Sequence, residues 1–316
     1  MEKFGAWRDK VSGVGPFLPR TKPESTIATI GRWIFGICKL TIFVLIMIQS
    51  WINLLISYYF PIHFIGRFYT RAHSFITYYL VMILFGEYWT SIVPTPLVKR
   101  LVDEKWSKPG SGDVIFTHLT SYINLLWLQF KLSPVFAIPV DEEHCVVCGI
   151  HNIMITILRH KNLREGSLVR IEKVIADARK YKRGPVVFLC EGAPTNSEGI
   201  LKFQPFKAKL PEDTKIQVLG FVRPFTGLSP NYTAGNGLVH LIKNLGHIYV
   251  SCTVLVALDA DVGLPKDDLI NPEFVEKMRT VLSRLTKLPT VDIDANAYLS
   301  FVEEYYKSKD RAKKFD

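Results

Sequence analysis

The sequence predicts an α/β protein in which a membrane-embedded N-terminal helical hairpin precedes a mixed αβ domain. Three observations carry this reading. Two long apolar runs occupy the first third of the chain, short apolar runs alternate with polar helical stretches through the rest, and the basic excess travels with the apolar part. Of the net charge of +10, residues 1–110 hold +7 (13 Lys/Arg against 6 Asp/Glu) and residues 111–316 hold +3 (26 against 23). That distribution suits a membrane surface, whereas a nucleic-acid partner would need a basic stripe on a folded module. A hydrophobic fraction of 48% excludes disorder, and five cysteines in 316 residues exclude a disulfide-dense secreted scaffold.

The first run, from Trp33 to Phe60, is interrupted only by Lys39, Gln49 and Asn53 among strongly polar residues. A spanning helix needs about 20 mostly apolar residues, so this run can cross a bilayer and the second, at 75–93 with Glu87 its one charge, is marginal. Residues 1–32 carry six Lys/Arg together with Pro16, Pro19 and Pro23, unlike a secretory signal peptide. Lys99, Arg100, Lys105 and Lys108 follow the second run. By the positive-inside rule both ends face the cytosol. The expected organisation is a cytosolic segment at 1–32, a membrane hairpin at 33–93, dipping into or across the bilayer, and an αβ domain at 94–316.

Beyond the turn-rich KPGSGD (108–113), five short apolar runs read as strands: VIFT (114–117), VFAIPV (135–140), VVFLCE (186–191), IQVLGFV (216–222) and YVSCTVLVAL (249–258). Helical spacing marks 145–160, 167–182, 267–287 and 295–309, with Gly184 a stop after the second.

The sharpest local feature is FLCEGAPTNSEGILKF (188–203), where a buried strand ends at Glu191 and a Gly/Pro/Thr/Asn/Ser-rich turn follows. Carboxylates and free backbone amides at the C-terminal edge of a strand are where open αβ sheets take ligands. This segment resembles the Glu-Gly-Thr block of the glycerophospholipid acyltransferase superfamily, whose 1-acylglycerol-3-phosphate acyltransferases read roughly F-P-E-G-T-x-[ST]-N-G-R-x-L-x-x-F. Glu191, Gly192, Thr195, Asn196, Leu201 and Phe203 match, while Cys190, Ala193, Ser197 and Glu198 depart. The opening Met1-Glu2-Lys3-Phe4, Trp7-Arg8-Asp9 and Pro16-Phe17-Leu18-Pro19 resembles the fungal branch linked to lysophosphatidic acid acylation and vacuolar protein sorting. The resemblance implies an acyltransferase-like αβ domain with Glu191, Gly192, Thr195 and Asn196 shaping a lysolipid pocket.

The family's first block is Asn-His-x-x-x-x-Asp, in which the imidazole takes the proton of the attacking glycerol hydroxyl and the carboxylate orients it. An oriented base of this kind contributes typically about 10²–10⁴-fold. Matching Thr120-Ser121 here to the family's Thr-Ser puts Leu119 at the histidine position and Asn124 at the aspartate position. His118 then serves either as a displaced base, which requires a local bulge, or as a hydrogen-bonded histidine at a strand end. The family's arginine block falls at Ile157-Leu158-Arg159, which makes Arg159 the residue for the lysolipid phosphate. Its Val-Pro strand corresponds to 218–222, with Leu219 in place of the proline.

HCVVCGIH (144–151) gathers two Cys and two His, but on one helix they could not surround an ion tetrahedrally, so no metal is expected. Asn231-Tyr232-Thr233 is a glycosylation acceptor only in a lumenal domain. Lys313 and Lys314 stand where a dilysine signal for an endoplasmic-reticulum retrieval coat would stand. The expected function is acyl transfer from acyl-CoA, as co-substrate, to a lysophospholipid, most simply lysophosphatidic acid. The setting is the cytosolic face of the endoplasmic reticulum, extending to lipid droplets, with membrane lipid as partner and no nucleic acid. The alternative is a catalytically inactive lipid-binding or scaffold member of the same fold, acting in lipid-droplet or vacuolar trafficking.

Overall fold

The computed structural model describes residues 4–59, 63–97 and 106–313. Lys99, Arg100, Lys105 and Lys314, which enter the charge and retrieval readings above, lie outside the described residues. A short 3₁₀ turn at Gly5–Trp7 precedes two long helices, α1 (Thr26–Tyr59) and α2 (His63–Leu84). Then come β1 (Thr90–Thr95), β2 (Val114–Thr117), α3 (Tyr122–Leu132), β3 (Val135–Pro139), β4 (His144–Cys148) and α4 (Ile150–Leu158). β5 (Leu168–Arg170), α5 (Ile171–Lys180), β6 (Val186–Phe188), β7 (Ala208–Lys209), β8 (Ile216–Val222) and α6 (Gly237–Leu245) follow. The chain closes with β9 (Cys252–Ala257), α7 (Asp259–Val262), β10 (Leu269–Ile270), α8 (Pro272–Thr286) and α9 (Asn296–Lys313).

Among the described residues, eight strands form one mixed sheet in the order β1-β9-β8-β2-β6-β3-β4-β5. Its centre, β8-β2-β6-β3, is parallel, with Phe116 opposite both Phe188 and Val218. Every residue of β2 is buried, as a strand covered on both faces must be. One core on one face joins the sheet to α1–α4 and α6, and a second on the other face joins it to α5 and α8. The helices begin where the sequence supplies caps. Ser121 accepts the Ile123 N–H at the start of α3, and Asn271 accepts the Phe274 N–H ahead of Pro272 in α8.

Several local expectations are corrected. The second apolar run is not one helix: α2 ends at Leu84, and Thr90–Thr95 is an edge strand parallel to β9, with Pro94 tolerated there. The boundary drawn after residue 93 falls inside this strand. The stretch 145–160 is a strand and then a helix, because His144–Cys148 pairs with both β3 and β5 while helical spacing holds only from Ile150. The helix expected at 167–182 yields its first residues to β5, and the strand expected through Glu191 ends at Phe188.

The N-terminal segment is part of the fold. Phe17 is fully buried against Tyr298 and Phe301 of α9, with ring centroids 5.5 and 5.7 Å apart. α1 lies against α6 at close range, made possible by two glycines. A Cβ at Gly36 would stand 2.1 Å from the Ile242 carbonyl oxygen, and one at Gly246 would stand 2.1 Å from that of Arg32. The Lys39 ammonium, the one charge of the first apolar run, donates to the Leu84 and His247 carbonyls at 3.0 and 2.8 Å. It thereby ties the middle of α1 to the end of α2 and to the domain.

Candidate functional site

Because β8, β2 and β6 are adjacent and parallel, the loops after them leave the same edge of the sheet, the place where open αβ folds bind ligands. The loop after β2 brings Thr120 and the first turn of α3 brings Asn124, the loop after β6 brings Ser197, and Arg223 follows directly on β8. With Arg20 and Asn231 they line a cavity of about 150 Å³ floored by Phe221 and Leu288.

Glu191 joins two of these loops. It is fully buried, and its carboxylate accepts the Leu119 N–H at 2.6 Å and the Leu201 N–H at 3.0 Å. Burial raises its pKa to about 7 against the opposing pull of those two amides. The Thr195 N–H donates to the Leu119 carbonyl at 2.9 Å, so segments more than 70 residues apart in sequence are stitched together at the site. Gly192 sits in the turn at φ +65°, a conformation that strains any L side chain, with the Arg164 guanidinium against its Cα. Asn196 points to the N-terminal segment, its amide donating to the Gly15 and Leu18 carbonyls at 2.8 and 2.9 Å. Thr195 is fully buried and Asn196 is 1% exposed; of the loop that carries Glu191, Gly192, Thr195 and Asn196, Ser197 is the residue that lines the cavity.

His118 is 1% exposed and its Nε2 accepts the Phe221 N–H at 2.9 Å. A backbone amide cannot give up that proton, so the ring's own hydrogen resides on Nδ1 and no lone pair faces the cavity. Leu119 points into the apolar core beside α3, not toward the site. Asn124 donates to Thr120 Oγ1 at 2.9 Å and accepts from Arg223 Nε at 2.6 Å; the position aligned with the family's carboxylate orients a guanidinium here. Arg159 is the exposed C-cap of α4 and is not among the residues lining this cavity.

No family model, curated protein or solved structure matches this chain. The site therefore rests on its own geometry. Arg223 is its centre: its side chain is 3% exposed and is ion-paired with Glu87, itself 1% exposed. Glu87 also accepts from Thr90 Oγ1 at 2.8 Å, which fixes the carboxylate. The sequence reading missed Arg223, although Glu87, a lone carboxylate in an apolar run, signals that a cation must meet it. Arg20 pairs with Glu198 at 3.0 Å, and Asn231 donates to the Asn196 carbonyl at 3.1 Å and to Ser197 Oγ at 2.9 Å. Asn231 is thus occupied by the fold, and its Thr233 partner is 1% exposed. Of HCVVCGIH, His144 turns to Asp141, Cys145 is buried, and His151 faces a different cavity. Among the described residues no three metal-ligating side chains converge.

Proposed function

We propose that the protein transfers a fatty acyl group from acyl-CoA to a lysophospholipid at a membrane surface, in the cavity between Thr120, Asn124, Ser197 and Arg223. The observation that supports this most is the stitching of the two resembling blocks. Glu191 and Thr195 bond to Leu119 across the edge of the sheet, as a shared active site demands. The lysolipid hydroxyl oxygen would attack the thioester carbonyl, the carbon–sulfur bond would break, and the thiol would leave with the hydroxyl proton. No imidazole takes that proton, so holding the two reactants together is the main contribution available, and proximity alone is worth several kcal/mol. α1 would keep the site at the interface where lysolipid and product dissolve. Its exposed face is apolar, with Ile34, Ile37, Leu45 and Ile48 each at least half exposed. The endoplasmic-reticulum membrane and lipid droplets, cytosolic side, are the setting we propose.

A second reading, a lipid-binding scaffold without turnover, is favoured by two observations: His118 is locked as an acceptor and Leu119 lies in the core. Purified full-length protein, given oleoyl-CoA and a panel of radiolabelled lysophospholipids, separates the two. Transfer is expected with lysophosphatidate, and Arg223→Met is expected to lower it at least about tenfold, the scale of one charged hydrogen bond. Saturable lysophosphatidate binding without transfer to any lysolipid would leave the scaffold.

A further inference from the structure

A second cavity lies away from this site, where the two apolar helices meet the domain. Ser50 and Asn53 of α1, His73 and Tyr78 of α2, Gln129 of α3 and His151 of α4 enclose about 180 Å³. Among the described residues its wall carries polar groups but no Lys, Arg, Asp or Glu. The surface around it is apolar: Ile48, Trp51, Ile52 and Phe75 are each about half exposed.

Two features ask for an occupant. His151 is 5% exposed, lines the cavity, and among the described residues its Nε2 has no hydrogen-bond partner. The first turn of α4 forms the adjoining wall, and its N-cap, Gly149, supplies no side-chain acceptor for the leading amides. Burying a polar group without a partner is costly, so a ligand that satisfies these groups gains what the missing pairing loses. The chemistry of the wall narrows the class. The described lining offers hydrogen-bonding groups and no cationic side chain to compensate a buried phosphate or carboxylate, which favours an uncharged head. Burial lowers the His151 pKa to about 4, so the ring adds no charge at neutral pH. Amides, imidazole and the Tyr78 hydroxyl suit ester and hydroxyl oxygens, and the apolar rim suits acyl chains.

We propose that this cavity binds the uncharged glyceryl head of a neutral glyceride, a diacylglycerol by class, with its chains lying along α1 and α2. The inference rests on the membrane attachment proposed above. Its test uses the full chain in phosphatidylcholine vesicles containing a diazirine-bearing diacylglycerol, with adducts mapped after irradiation. Adducts are expected within 48–53, 73–79 and 149–155, displaced by unlabelled dioleoylglycerol but not by equal dioleoylphosphatidate or oleate. Gly149→Leu adds a side chain at a residue lining the cavity, where a Cβ has nothing within 4 Å. It and His151→Phe should each lower labelling about tenfold, the scale of one lost hydrogen bond, while the protein still floats with the vesicles. Labelling indifferent to both substitutions, or displaced equally by phosphatidate or oleate, would overturn the proposal. Wild-type protein that fails to float would overturn the membrane attachment and the proposal with it.

Discussion

At the scale of single residues, one hydrogen bond decides what His118 can do. Its Nε2 is spent on the Phe221 amide, and burial lowers its pKa to about 4. A histidine whose folded pKa lies below its unfolded value stabilises the fold fully above pH 6.5 and loses that contribution as pH falls toward 4. Between pH 7.5 and 5.5 the loss is about 1 kcal/mol. Glu191 has the opposite sign: with a pKa raised to about 7, its contribution is complete below the unfolded value and is lost as pH rises through 7. His118→Gln keeps an acceptor for Phe221 and removes the titration. Denaturation at the two pH values should show the variant about 1 kcal/mol less pH-sensitive than wild type, with the proposed acyl transfer unchanged. Abolished transfer in a folded His118→Gln protein would return the imidazole to the chemistry.

At the scale of elements, the two charges that interrupt the apolar runs are the points where those runs attach. Lys39 binds carbonyls at the end of α2 and in the loop after α6, and Glu87, just beyond α2, binds Arg223 after β8. Removing one partner of a buried ion pair leaves a bare charge, at about 3–5 kcal/mol. Glu87→Gln should therefore lower the free energy of unfolding by about that much, and adding Arg223→Met should recover part of it. Equilibrium denaturation of both variants checks this; a single-variant cost within error would mean that the pair does not hold β1 and β8 together.

For the whole molecule, the question is what covers α1. This helix has 34 residues, hence about 50 Å of length, and is the one described helix long and apolar enough to cross a membrane. Only about 17% of its most apolar window is buried within the protein. Cys38 on its outer face is exposed, Cys148 is half-buried, and Cys145, Cys190 and Cys252 are buried, so Cys148→Ser leaves Cys38 as the accessible thiol. If lipid covers this face, Cys38 in intact membranes should resist a membrane-impermeant maleimide and react with a permeant one, and alkaline carbonate should leave the protein in the pellet. Equal modification by both reagents, with release by carbonate, would remove the membrane attachment.

Composition and periodicity alone determined the αβ class, the long apolar N-terminal helix and the strands at 114–117 and 216–222, because those features depend on contiguous residues. The Glu191 loop was legible for the same reason: a buried strand running into a Gly/Pro/Thr/Asn turn is a local signal. Short elements that exist only through their partners were not. Thr90–Thr95 and His144–Cys148 are strands because β9, β3 and β5 supply the hydrogen bonds; their β-branched residues favour strand, but segments this short, lying within longer apolar runs, are fixed only by those partners. The site shows the same division. Asn124 stood out by its place in a motif, but its meaning came from Arg223, 99 residues away, and Arg223 from Glu87, 136 residues away. Local sequence sets which residue types are present; only the sheet order, by bringing the ends of β8, β2 and β6 together, decides which of them meet.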